Sequence, residues 1–155
     1  MYKHLIGKQS EKVENIVERG AVKAFVRAIG DPHPLYTDKE YGKESKYKNN
    51  IVPPTFPRTF SYGTIPGLNL PSAGLIHGEQ QFEYNRPLLV GEEVYCYSKV
   101  ENYREKRAAS GHLGFLTLLN FGEDKEGNQV FSSKSVLILT EKIREENERD
   151  SYNRA

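Results

Sequence analysis

Asp31, His33 and Tyr36 place an acid, an imidazole and a phenol inside one short run, Ala28-Ile-Gly-Asp-Pro-His-Pro-Leu-Tyr-Thr-Asp38. These are proton donors and acceptors, and together they suit acid–base chemistry. Pro32 and Pro34 restrict the backbone between them, which holds the polar groups with little freedom. Such pre-positioning matters because a misplaced proton donor loses most of its rate advantage. Each residue also has a plainer role. Gly-Asp-Pro serves as a helix stop followed by a turn. Asp31 can cap the next helix or bond to the turn backbone. His33 projects either into the same cleft as Asp31 or out into water. Tyr36, a phenol with a pKa near ~10, is a poor base at neutral pH and is better suited to lining a site or bonding to Asp31.

A second run, Ile51-Val-Pro-Pro-Thr-Phe56, adds Pro54, Thr55 and Phe56, with Phe60 one helical turn further on. With the first run it resembles the signature of the MaoC-like, or hydratase 2, family of hot-dog-fold proteins. That signature reads Gly-Asp, any residue, Asn, Pro, an aliphatic, then His. Gly30, Asp31, Pro34 and Leu35 match it, whereas His33 stands in the Asn place and Tyr36 in the place of the catalytic His. The family's second block runs Ile-Val-His-Gly-Met, and its Gly N–H helps hold the thioester oxygen. Here Pro54 occupies that Gly place and has no N–H to donate. The resemblance implies an Asp and a His that add or remove water across the double bond of an acyl thioester. It also implies a catalytic set of Asp31, His33 and Tyr36, and a substrate-binding set of Pro54, Thr55, Phe56, Phe60 and His77. The two departures fall on the two catalytic devices, as in the substrate-holding half of MaoC-like dehydratases and their accessory subunits.

Several elements must position these residues. Val22, Phe25, Val26 and Ile29 form the i, i+3, i+4, i+7 stripe of a helix over residues 17–29. Gly30 falls where a helix C-terminus favours positive φ. Thr37 and Glu40 read as a capping box for a short surface helix to about Tyr47. Residues 51–63 are the candidate for the family's central helix, with Pro53 and Pro54 at its entry and a kink expected at Pro57 unless that too falls in the first turn; an irregular aromatic loop competes with it, because Gly63, Pro66 and Gly67 follow closely. From residue 75 the period changes to two. Strands are expected at 75–84, 93–103, 112–122 and 129–140, the last two joined by a hairpin at 123–128. Val94, Cys96, Ser98 and Val100 share one face against Tyr95, Tyr97 and Lys99. Helices followed by antiparallel strands give an α+β class. The resemblance specifies it as a hot-dog: an antiparallel sheet wrapped round a central helix, with an overhanging helix–turn segment. Residues 1–140 read as one domain and 141–155 as a charged tail.

Composition narrows the function classes. The chain has 155 residues, with 22 Lys and Arg against 21 Asp and Glu, which gives no electrostatic footprint for nucleic acid or an acidic membrane. No run approaches the ~20 apolar residues of a membrane helix, and the first residues lack a signal-peptide core. One cysteine, Cys96, excludes an internal disulfide and fits a reducing cytoplasm. His4, His33, His77, His112 and Cys96 lack metal-ligand spacing. Neither a metal nor an organic cofactor is expected, because hydration beside a thioester needs only a proton shuttle and carbonyl polarisation.

Two functions from different classes remain. One is an (R)-specific 2-enoyl thioester hydratase or 3-hydroxyacyl thioester dehydratase, self-sufficient as a homodimer and using Asp31 with His33 or Tyr36. The other is a substrate-holding chain, heterodimeric with a related MaoC-like chain that supplies the Asp–His pair. The departures at Tyr36 and Pro54 favour the second. Both take an acyl group on coenzyme A or acyl carrier protein. An acyl-binding protein or a hot-dog thioesterase ranks lower, the thioesterase because residues 51–75 contain no Asp or Glu.

Overall fold

The computed structural model describes residues 1–71, 74–109, 111–141 and 143. Five antiparallel strands form one sheet: β1 Val13–Ile16, β2 Ile76–Tyr84, β3 Glu93–Ala108, β4 Gly111–Glu123 and β5 Gln129–Leu139. Their order is β1-β3-β4-β5-β2. Three helices lie between β1 and β2: α1 Arg19–Ile29, α2 Pro34–Thr37 and α3 Lys39–Glu44. The α+β hot-dog class is what the sequence predicts. The hairpin is there too, with Asp124 Oδ1 accepting the N–H groups of Glu126 and Asn128.

Three local expectations are corrected. Residues 51–63 do not form the central helix; they contain only the 3-10 turn Phe56–Thr59. Pro53 and Pro54 are tolerated in a first turn, but Pro57 lacks the N–H that a helix would need beyond it. The helix lying on the sheet is α1, whose Val22 and Val26 are buried against Val94, Cys96, Val130 and Phe131. Second, α3 is capped by Asp38 rather than Thr37, and it ends at Glu44. Third, β1 is a strand that the sequence reading did not contain; it pairs Val13 with Cys96 and Asn15 with Val94. The charged tail lies outside the described residues beyond position 143.

The inner face of the sheet is organised in rows. Cys96, Gly122, Phe131 and Tyr84 are cross-strand neighbours, and so are Ser98, Asn120, Ser133 and Phe82. Val100, Leu118, Ser135 and Gln80 follow, then Tyr103, Leu116, Leu137 and His77. The first row belongs to an apolar cluster under α1. Tyr103, Leu116 and Leu137 of the last row, with Val100 and Leu118 of the third, belong to a second cluster with Tyr2, Leu5 and Ile65, while His77 is exposed. Gly122 is required in its row, because a Cβ there would stand 2.1 Å from the Phe131 ring.

Candidate active site

The turn that carries the acid, imidazole and phenol begins where α1 stops. Gly30 takes the left-handed conformation at φ 69°, and the N–H of Asp31 bonds back to the Val26 carbonyl at 3.2 Å. The chain then runs through Pro32 into α2, for which His33 is the N-cap. His33 Nδ1 accepts the Leu35 N–H at 3.1 Å. With Nδ1 an acceptor, this hydrogen bond assigns the proton of the neutral ring to Nε2. His33 therefore fills the capping role that the sequence offered to Asp31.

Asp31, His33 and Tyr36 are brought together. The His33 and Tyr36 rings meet edge to face with centroids 6.0 Å apart, and Tyr41 flanks His33 on its other side at 5.8 Å. Partial burial, with the nearby Asp31 carboxylate adding to it, holds the Tyr36 phenol above its ordinary value of 10.0. Both causes disfavour the phenolate. Asp31 and His33 are exposed, whereas Tyr36 is half-buried and packs against the apolar cluster beneath α1.

A buried asparagine holds this turn. Asn50 is 1% exposed, and its Nδ2 donates to the carbonyls of Leu35 at 2.9 Å and Asp38 at 2.6 Å. Its Oδ1 accepts from Arg19 Nη1 at 2.7 Å, which ties α2 and α3 to the first turn of α1. Asn49 and Asn50 lie just past the end of the short helix expected to about Tyr47. Asn49 in turn donates to the Val90 carbonyl at 3.0 Å, which anchors the assembly to the corner before β3.

The second run lies on the other side of the aromatic cluster. Phe56 packs edge to face on Phe25 at 5.4 Å and on Phe60 at 5.6 Å, and Phe60 contacts Phe131 at 6.2 Å. Phe56, Phe60 and Tyr36 thus share one cluster. Pro54 and Thr55 are exposed at the start of the 3-10 turn. Tyr84 Oη donates to the Pro54 carbonyl at 2.6 Å, a contact the sequence reading missed. Among the described residues, none accepts the Thr55 N–H. His77 stands apart from this group. It sits on β2 opposite Leu137, seven residues from Tyr84 and so roughly 23 Å along the strand. Burial pushes the Cys96 thiol up to about 12, which removes it as a nucleophile toward a thioester. An open cleft of about 410 Å³ lies behind the turn, lined by Lys23, Val26, Arg27, Pro32, Thr37 and Asp38. Among the described residues, no helix is long and apolar enough to cross a membrane, and no group of three His, Cys, Asp or Glu could hold a metal ion.

Residues 4–133 match the family described as FAS1-like, dehydratase domain region. A protein of Thermobifida fusca named UPF0336 is 34% identical over 129 residues, covering 79% of this chain and 82% of that protein. Among solved structures, the fold is similar to the C-terminally truncated HadBC (3R-hydroxyacyl-ACP dehydratase) complex from Mycobacterium tuberculosis. The TM-score is 0.70 at 18% identity, over 87% of this chain and 97% of that one. The (R)-hydratase of A. caviae involved in PHA biosynthesis gives 0.64 at 21% identity, over 85% of this chain and 94% of that one. A MaoC-like dehydratase gives 0.72 at 21% identity, with 92% of this chain spanning 44% of that one.

Proposed function

This chain belongs to the FAS1-like dehydratase-domain family of MaoC-like hot-dog proteins, and from that premise we propose that it is the substrate-holding subunit of an (R)-specific 2-enoyl thioester hydratase or 3-hydroxyacyl thioester dehydratase. A related MaoC-like chain supplies the catalytic Asp–His pair. The observation that carries this reading is the state of the two candidate bases. His33 spends its Nδ1 lone pair on the Leu35 N–H, so its remaining nitrogen bears a proton when the ring is neutral. Tyr36 is held protonated by burial and by Asp31. Neither group has a free lone pair of suitable basicity at neutral pH. The oxyanion device is altered as well, because Pro54 offers a carbonyl that Tyr84 already occupies.

What remains suits holding. The Phe56 and Phe60 rings offer an apolar floor beneath Tyr36, and the Lys23 and Arg27 side of the neighbouring cleft is electrostatically suited to a phosphate-bearing carrier. The MaoC-like dehydratase chain of which this chain spans 44% is long enough for two such units, and HadBC is a complex by its name. Partnering through the sheet has a physical motive too: β2 is an edge strand, with Ile76 51% exposed, and proteins seldom leave such edges open.

Hydration of crotonyl-coenzyme A, by the purified chain alone and mixed with a MaoC-like chain carrying the intact Gly-Asp-x-Asn-Pro-x-His motif, tests the proposal. General acid–base help is worth ~10²–10⁴-fold, so turnover by the chain alone is expected to be weak or absent and to rise on mixing. Robust turnover by the homodimer, abolished by Asp31→Asn, overturns the proposal in favour of a self-sufficient enzyme. Thr55, with its free N–H, is then the oxyanion donor to test.

A further inference from the structure

Between the two apolar clusters, the inner face of the sheet turns polar. Ser98, Ser133 and Ser135 are 9%, 4% and 4% exposed. Ser98 Oγ bonds to Asn120 Oδ1, and Asn120 Nδ2 reaches Ser133 Oγ at a long 3.4 Å. Ser135 Oγ has no hydrogen-bond partner among the described residues. Gln80, its cross-strand neighbour, is half-buried and accepts from Arg58 Nη1 at 3.3 Å. A hot-dog core has no structural need for this band. Apolar side chains would fill the positions without the desolvation cost of an unpaired buried hydroxyl. On β5 the band presents the small side chains of Ser133 and Ser135, where the same-face positions on either side carry Phe131 and Leu137. Its unspent hydrogen-bonding capacity is the Ser135 hydroxyl, since the Gln80 amide already donates to the carbonyls of Lys134 at 3.3 Å and Gln81 at 3.4 Å.

Distance ties the band to the proposed site. Ser133 and Ser135 lie opposite Phe82 and Gln80, two and four residues along β2 from Tyr84, which is about 7 and 13 Å. Tyr84 itself bonds to Pro54, at the proposed thioester end. An acyl chain entering there and running under the Phe60 ring reaches the band with its middle carbons. We infer that buried Ser133 and Ser135, with half-buried Gln80 beside them, select an acyl chain bearing a hydroxyl or carbonyl oxygen well away from the thioester, rather than a plain hydrocarbon chain. This rests on the acyl-thioester reading above and adds the chemical class of the acyl group.

Binding suffices to test it, with no turnover required. Calorimetric titration of the full chain with dodecanoyl-coenzyme A, and with counterparts hydroxylated stepwise along the middle of the chain, should show at least one hydroxylated member bound about tenfold more tightly. Ser135→Ala should remove the preference while leaving plain-chain binding within about twofold. Gln80→Leu, on a half-exposed edge strand that tolerates substitution, should weaken the preference in the same direction. Equal or tighter binding of the plain chain by the wild type, or a preference that survives both substitutions, overturns the inference and leaves the acyl-thioester reading standing. Absence of binding by every thioester overturns both.

Discussion

The turn 30–38 and the sheet beneath it are built on opposite terms. In the sheet, Val94, Cys96, Val100, Leu116, Phe131 and Leu139 are all fully buried, and the long strands β3, β4 and β5 are paired along nearly their whole length. In the turn, Asp31, Pro32, His33 and Pro34 are exposed, and the segment is fixed mainly by local caps and the two carbonyl contacts of Asn50. Substitutions in the first region are felt by every neighbour, because close-packed interiors do not absorb volume changes. Substitutions in the second change chemistry and leave the scaffold alone.

Phe131→Ala should break the contrast from the sheet side with the largest effect. It removes a fully buried ring that contacts both Phe60 and Tyr84, at an expected loss of about 3–5 kcal/mol in urea unfolding. Asn50→Ala should cost about 2–3 kcal/mol, and the loss should be local. Amide exchange should accelerate in α2 and α3 while β3 and β4 stay protected. Uniform acceleration through the sheet would mean that the turn is not the separable unit described here.

Alkaline pH sharpens the comparison from another side. The Cys96 thiol, ordinarily at 9.0, is pushed up to about 12, and Tyr62 and Tyr84 are raised too, all chiefly by burial. The unfolded chain releases these protons first, so the stability they contribute is complete below about pH 9 and is lost as pH rises toward their folded values. Urea titrations should show a flat plateau to about pH 8.5 and a loss of about 2–4 kcal/mol by about pH 10.5. Tyr84→Phe should reduce the slope, and an unchanged slope would show that Tyr84 ionises freely. His33→Asn should have the smallest effect, within about 0.5 kcal/mol, because Asn caps a helix as His33 does here. A larger loss would assign the imidazole a role beyond the cap.

Periodicity made the scaffold legible. The apolar stripe of α1, the stop at Gly30 and the alternation of the four long strands each have one reading in the sequence, because burial on one face imposes a repeat. Strand β1 left no such mark: four residues hold too few alternations to stand out. Residues 51–63 misled because Phe56 and Phe60 stand at helical spacing and Pro53 and Pro54 suit a helix entry, while Pro57 breaks the helix beyond it. The site was legible as a cluster of residue types but not as a set of roles. Tyr36 and Asp31 are neighbours, as their spacing allowed, yet the capping duty fell to His33, since the turn through Pro32 and Pro34 aims Nδ1 at the Leu35 N–H. Asn50 and Tyr84 were invisible because both act on backbone carbonyls distant in sequence, which no local pattern encodes.

The central claim is that this turn holds substrate but offers neither its imidazole nor its phenol as a base, and the proton position on one ring tests it most directly. Nitrogen-15 spectra of imidazole-labelled protein, recorded near neutral pH with His33 assigned by His33→Asn, report which nitrogen carries the proton. In the neutral ring the proton is expected on Nε2, with Nδ1 unprotonated and accepting the Leu35 N–H. A ring protonated at Nδ1, with Nε2 unprotonated, would contradict it and return His33 to the role of general base.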